Sequence, residues 1–342
     1  MQRDIATNAI SSGVKLDKHT LKSVAAKSDK PGLVYLAQWF FGLALTSGLV
    51  WATLETVWVW PAMFVHGVLL TVPAYSFSHE CAHATAFKSK RLNEAVFWFS
   101  SLIYMEEPVH RRFTHTSHHT FTWHEGRDAQ MPFDTPMGIG GWLAEISGLA
   151  LLRFHAHVLF ALALGRYTDV MHKAVPKRMF KQMTRNARIM LVVYAAIALA
   201  PFAGVWWPLW LLVIPRMLGA PVMLLFTLLQ HVELQENSPS IIESTRSFRS
   251  NWLGRFLYMN MNNHVEHHLY PQVPFHALPQ LADALADQVP APDPGFFRGN
   301  WEVFVVTLRR SLGYSTKAPS IRQAPHMITD GGPIESITKR SM

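Results

Sequence analysis

Apolar residues in this chain fall in long unbroken runs, not at the three-to-four-residue spacing of a soluble amphipathic helix. "LVYLAQWFFGLALTSGLVWATL" (33–54) is 22 residues long, about 33 Å as a helix, enough for a hydrocarbon layer of ~30 Å. "VWVWPAMFVHGVLLTVPAYSF" (57–77) returns after a very short link, and a second pair follows at 189–207 and 209–230. Pro61, Pro73, Pro201, Pro215 and Pro221 interrupt these runs; they would break soluble helices but are tolerated in a packed membrane bundle. Two weaker segments, 95–105 and 142–164, the second carrying Glu145, Arg153, His155 and His157, read as interfacial or re-entrant helices. The pattern predicts an all-α integral membrane protein with four transmembrane helices and a helical cap built from 78–188 and 231–315.

Charge orients the spans. No Lys or Arg occurs between Lys30 and Lys88, whereas Lys88, Lys90 and Arg91 follow the second span and Lys177, Arg178, Lys181, Arg185 and Arg188 precede the third. The positive-inside rule then puts the cap and both termini in the cytoplasm of a multi-pass protein of the inner (cytoplasmic) membrane. His79 sits where span two reaches that side, and His231 where span four does. Residues 1–30 lack the apolar core of a signal peptide and read as a polar cytoplasmic tail. The membrane domain covers 31–315, and 316–342, rich in Pro, Ser, Gly and charge, is expected to be disordered.

Composition agrees with lipid. The chain is 49% hydrophobic, with 12 Trp and 21 Phe, and only 16% charged, against roughly 25% in a soluble domain. The net charge of +8 marks a membrane side and not a nucleic-acid partner, because no basic patch with interleaved aromatics lies outside the spans. Cys81 is the single cysteine, which excludes a disulfide framework, a Cys-ligated zinc and an iron–sulfur cluster.

Histidine carries the chemistry. "HECAH" (79–83) is an HExxH with His79 and His83 at i, i+4; "HTSHH" gives His115, His118 and His119 at i, i+3, i+4; "HVEHH" repeats the spacing with His264, His267 and His268. On helices these spacings put imidazoles on one face, a turn apart. With His231 of "LLQHVE", nine histidines can converge at the ends of a four-helix bundle. His19, His172, His276 and His326 are isolated and read as solvated or capping residues, His66 as a polar group packed between spans, and His110 and His124 as partners that orient ligands. A zinc takes four ligands, so nine imidazoles fit two metals of four or five nitrogens each.

The run "HECAH … HTSHH … QH … NNHVEHHLYPQVPFHALP" resembles the membrane-bound fatty acid desaturase and hydroxylase superfamily over roughly residues 33–290. Within it the chain is most similar to a bacterial branch that includes rhizobitoxine-type desaturases and rhizopine-type oxygenases. The resemblance implies a four-helix membrane stem, a cytoplasmic cap holding two non-haem irons, O2 as co-substrate, and His79, His83, His115, His118, His119, His231, His264, His267 and His268 as ligands. It departs from acyl-CoA desaturases, whose first box is commonly HxxxxH and whose ligands include an asparagine near the fourth histidine. The nine-histidine set is closer to that of alkane-type hydroxylases.

The implied activity is oxidation of an unactivated C–H bond: a fatty-acid-type desaturase introducing a C=C bond, with a hydroxylase acting on an alkyl chain or small amphiphile as the alternative. Glu80 and Glu266, inside boxes, are candidates to orient ligand imidazoles, and Asp128, Glu233 and Glu236 are weaker ones. Electrons must come from a separate ferredoxin, rubredoxin or cytochrome b5 with its reductase, because the chain has no CxxC pair, haem-binding domain or dinucleotide fingerprint. Arg246, Arg249 and Arg255 either steer such an acidic donor or meet anionic lipid headgroups. Arg216, a charge inside a span, either contacts a polar substrate group or snorkels outward. Two other classes compete: a membrane zinc protease, with Glu80 as base, leaves six clustered histidines unused, and a metal carrier would hold its ligands near the membrane midplane.

Overall fold

The structure is a computed structural model describing residues 12–131, 135–292 and 295–316. It is all-helical. A short helix α1 (Lys18–Val24), capped by the Asp17 carboxylate, precedes α2 (Lys30–Thr53) and α3 (Val59–Ala82). Then come α4 (Lys90–Tyr104), α5 (Pro108–Phe121), α6 (Ile139–Ile146), α7 (Leu149–Ala163) and α8 (Asp169–Ala174). The second apolar pair comprises α9 (Phe180–Leu199), entered through a 3-10 turn at Lys177–Met179, and α10 (Ile214–Leu229), entered through a π turn at Leu209–Val213. Five helices follow: α11 (Ile241–Ser244), α12 (Trp252–Leu257), α13 (His264–Leu269), α14 (Leu278–Leu285) and α15 (Phe296–Ser311).

Among the described residues, four helices are long and apolar enough to cross a membrane: 30–53, 59–82, 177–203 and 209–229. Two spans differ from those expected. The second span, expected to end at 77, continues to Ala82, because "SHECA" stays helical once its side chains are buried. The third, expected over 189–207, begins at Lys177 and ends at Ala203. Its polar first turns still bury Met183, Asn186, Ala187 and Met190 at helical spacing. The 142–164 segment is a bent pair, α6 and α7, meeting at 65°; the bend falls at Gly148, whose φ of 75° favours glycine.

Burial separates two kinds of span. The second is 67% buried, whereas the first and third are each 17% buried and present Leu45, Val192 and Leu199 outward, as expected of helices facing lipid. Helices α3 and α10 pack backbone to backbone. A Cβ at Gly67 would lie 1.8 Å from the Pro215 carbonyl oxygen, and one at Gly219 would lie 2.0 Å from the Gly67 carbonyl carbon, the small-residue contact by which membrane helices approach closely. Arg216, expected either to contact a polar substrate group or to snorkel, is half-buried and lines a cavity between the spans. Its Nε and Nη2 donate to the Ile103 and Tyr104 carbonyls at 3.0 and 3.1 Å, placing a cation on the C-terminal carbonyls of α4. His66 bridges spans, between Thr46 Oγ1 at 2.7 Å and the Leu211 carbonyl at 3.0 Å.

Part of the stretch read as a polar tail is docked. Val14 and Val24 are buried against Val265, Leu269 and Leu281, and the Lys15 amide donates to Gln288 Oε1 at 2.8 Å. Four apolar positions at wide spacing were too sparse to signal this in the sequence. Residues 1–11 and 317–342, with His326, lie outside the described residues.

Candidate metal centre

Four elements converge at one end of the bundle, each held there by a local device. His79 occupies the last turn of α3, and His83 caps that helix. Helix α5 starts with Pro108 at its first position; the Glu107 carboxylate accepts from the His110 amide at 2.6 Å and from Asn186 Nδ2 of α9 at 2.7 Å. One side chain thus caps the box helix and ties it to the third span. His231 follows α10, whose terminal Leu229 carbonyl accepts from Arg246 Nη1 at 2.8 Å. At the start of α13, Ser247 Oγ accepts from the Val265 amide at 2.9 Å and donates to Glu266 at 2.6 Å.

The nine histidines form two adjoining groups. His79, His83, His115, His119 and His267 make one, and His118, His231, His264 and His268 make the other, with candidate ligand atoms within 4.8 Å of one another in each. Each HxxHH helix serves both. In α5 the i, i+4 pair His115/His119 joins the five-membered group and His118, rotated away, joins the four. In α13 the pair His264/His268 joins the four and His267 the five. The stacked rings of His119 and His268, 4.0 Å between centroids, connect the groups.

These imidazoles suit metals. Nε2 atoms approach at 3.2 Å (His115–His119), 3.1 Å (His231–His264) and 3.1 Å (His264–His268). Two ligands at right angles on a metal with bonds of about 2.1 Å are separated by about 3.0 Å. Both ring nitrogens of His79 and of His267, and His83 Nε2, are buried with no hydrogen-bond partner, orphans that a metal would complete. Burial lowers the basicity of His115, His264 and His268 well below the usual range and, as its main cause, brings His231 and His267 to about 3, so their rings are neutral and their lone pairs available.

The groups that orient the rings differ from those expected first. Asp128, a weaker sequence candidate, accepts from His118 Nδ1 at 2.9 Å. Gln130, missed altogether, is 2.9 Å from His115 Nδ1. His231 Nδ1 is 2.9 Å from the Ser244 carbonyl and His268 Nδ1 is 3.2 Å from Thr122 Oγ1. Glu80 bonds to Thr85 Oγ1 at 2.9 Å and the Phe275 amide at 3.1 Å, with its other oxygen 3.8 Å from His79 Nδ1. Glu266 turns to Ser247. Glu233 pairs with both Nη atoms of Arg310. Glu236 lines a separate cavity. His110 pairs with Glu106 at 3.0 Å, and half-buried His124 with the Thr122 carbonyl. Arg246 is taken up in capping α10, while Arg249 and Arg255 are exposed. Acidic residues inside a box draw the eye, yet the segment after α5 supplies Thr122, Asp128 and Gln130, and no periodicity marks a loop.

Four of the clustered histidines border a chamber of about 130 Å³, whose other walls include Glu106, Arg111, Tyr104 and His155. A larger apolar cavity of about 680 Å³ lies between the spans, lined by Leu70, Phe99, Ile197 and Leu212 among others.

No curated protein matches the chain. The model of the family described as fatty acid desaturase matches residues 55–300, well over half of the chain and a stretch that holds all nine clustered histidines. With the four apolar helices, this makes the protein a multi-pass membrane oxidoreductase. The chain belongs to the fatty acid desaturase family.

Proposed function

We propose that the protein is an O2-dependent diiron oxidase that removes two hydrogens from neighbouring carbons of an alkyl segment, leaving a C=C bond in a lipid-like or amphiphilic substrate. One observation carries this reading: two touching groups of five and four imidazoles on four elements, all buried except the half-buried His83. Bound iron would supply O2 activation and abstraction of hydrogen from an unactivated C–H bond. The balance is one –CH2–CH2– unit, one O2, two electrons and two protons giving one –CH=CH– unit and two waters. The electrons come from a separate ferredoxin, rubredoxin or cytochrome b5 with its reductase.

The chain's own residues hold and shield the centre. His79, His83, His115, His119 and His267 would bind one iron, and His118, His231, His264 and His268 the other. Asp128, Gln130, Thr122 and the Ser244 carbonyl fix ring orientation through the opposite nitrogen. Burial of these residues, only His83 among them being half-buried, keeps bulk water from the reacting carbon. Glu80 is held through one oxygen by Thr85 and the Phe275 amide, and a zinc-protease reading leaves six clustered histidines unused. In the same proposal residues 31–315 form the membrane domain, with the centre and both termini on the cytoplasmic face, supported by the Lys and Arg distribution.

Hydroxylation is the second reading, favoured by the all-histidine ligand set. Host cells grown under 18O2 with and without the protein separate the two by mass spectrometry of lipid and aqueous fractions. A product lighter by two hydrogens and unlabelled supports desaturation. A product carrying one labelled oxygen replaces it with hydroxylation.

A further inference from the structure

The diiron reading leaves the substrate class open, and the chamber beside the four-histidine group narrows it. Arg111 forms part of its wall and is 3% exposed. The guanidinium carbon lies 5.2 Å from the Tyr75 ring centroid and 5.4 Å from that of Tyr104. Its Nη1 stands 3.5 Å from Glu106 Oε2. That carboxylate is already served by His110 Nδ1 at 3.0 Å, with His155 Nε2 at 4.0 Å.

The other edge of the guanidinium is buried and unpaired. Nε and Nη2 are shielded from solvent and have no hydrogen-bond acceptor. These two nitrogens share one edge of the planar fork, the pair that grips a carboxylate by two parallel hydrogen bonds. Buried charged donors are ordinarily paired, and Arg111 lies in the chamber wall, where a bound acid would supply the missing acceptor. We propose that this chamber binds a compact carboxylate through the unpaired edge of Arg111, and that the oxidised C–H bond lies within a few bonds of that carboxylate.

Size points the same way. A cavity of about 150 Å³ holds a benzene ring, so the 130 Å³ here takes about six non-hydrogen atoms. Four ligand histidines, His115, His118, His231 and His264, face the same space, so a molecule anchored on Arg111 presents its nearest carbons to the metals. A long acyl chain fits the large apolar cavity between the spans instead. That cavity is separated from the chamber by a gap of about 10 Å³ bounded by Tyr104, Leu151 and Arg216, among others.

The inference rests on the proposed function but is read by binding, not turnover. Purified full-length protein in lipid nanodiscs is titrated calorimetrically with butanoate, butanamide and hexadecanoate, and iron per chain is measured on the same samples. Butanoate should bind at least tenfold more tightly than butanamide and no more weakly than hexadecanoate. Arg111→Gln should abolish the preference for the acid, and Arg111→Lys, which keeps the charge but loses the two-donor edge, should retain only part of it. If Arg111 variants fail to fold, Leu151→Phe fills the chamber and should weaken butanoate binding tenfold with the charge intact. Equal affinity for acid and amide, or hexadecanoate binding tenfold more tightly than butanoate, overturns the inference. Iron present without acid preference rejects this site and leaves the diiron reading standing. Acid preference without iron keeps the carboxylate site and rejects the diiron reading.

Discussion

Asp128→Asn tests the four-histidine group through a residue that is not itself a ligand. The carboxylate accepts four hydrogen-bonding contacts: His118 Nδ1 lies 2.9 and 3.1 Å from its two oxygens, the Trp123 amide donates to Oδ2 at 2.8 Å and the Gln130 amide to Oδ1 at 2.8 Å. An asparagine replaces one oxygen with an NH2 group, so a backbone N–H then faces a donor. Such an unsatisfied buried group costs about 1–3 kcal/mol. His118 loses its charged acceptor as well, and loss of such a partner typically weakens metal binding 10–100-fold, about 1.4–2.7 kcal/mol. The assay is iron per chain after equilibration with a graded chelator, with thermal melting of metal-stripped protein isolating the structural part. Asp128→Asn should give up one of two irons at chelator concentrations where the parent protein keeps both. Gln130→Ala, acting on His115 of the other group through a neutral bond, should have the smaller effect and on the other iron. An Asp128→Asn protein that follows the parent's iron-loss curve would refute the reasoning.

Three further outcomes are expected. Gly67→Ala and Gly219→Ala drive a methyl into backbone at 1.8 and 2.0 Å and should lower stability by about 1–3 kcal/mol or more. Gly48→Ala, with nothing within 4 Å of the new carbon, should not, and equal melting temperatures for all three would contradict the packing described. Arg216→Met removes both donors from the end of α4 and should cost about 1.5–3 kcal/mol in thermal or chemical unfolding; unchanged stability with a raised KM would make Arg216 a substrate residue after all. Burial raises the Glu106 carboxyl, but Arg111 and the hydrogen bond from His110 outweigh it and bring it to about 2. The folded value lies below the unfolded one of 4.5, so its stabilisation is complete above about pH 4.5 and is lost as pH falls toward 2. Glu106→Gln should therefore melt below the parent at neutral pH, with the gap closing below about pH 4.5; a gap independent of pH rejects the assignment.

Much of the architecture is legible in one dimension because a bilayer reads the chain nearly locally. Twenty apolar residues span it whatever their neighbours do, and the runs at 33–54 and 209–230 match helices 30–53 and 209–229 closely. Boundaries slipped where a helix outlives its apolar stretch, at "SHECA" and at the polar start of α9, because buried contacts, not hydropathy, decide where those helices end. The histidine boxes were visible for a similar reason: i, i+3, i+4 spacing fixes a shared helix face before any tertiary contact forms.

What lies beyond that spacing depended on tertiary structure. No local rule states that His118 leaves the partners on either side of it to join His231, or that His267 crosses the other way. Those assignments depend on how α5 and α13 come together with the ends of α3 and α10. Asp128, Gln130 and Thr122 act from a loop, where no period marks a residue, while Glu80 and Glu266, conspicuous inside their motifs, turn to Thr85, Phe275 and Ser247. Arg216 and Arg111 make the same point. A buried charge is plain in the sequence, but its role depends on which acceptors the fold brings within hydrogen-bond reach: two carbonyls for Arg216, and for one edge of Arg111 none. Sequence alone determined the membrane helices and the kind of chemistry, because both depend on spacing along one segment. Tertiary structure decided the division into two groups, the residues that orient them and the shape of the chamber, because each of these joins atoms from segments far apart in the chain.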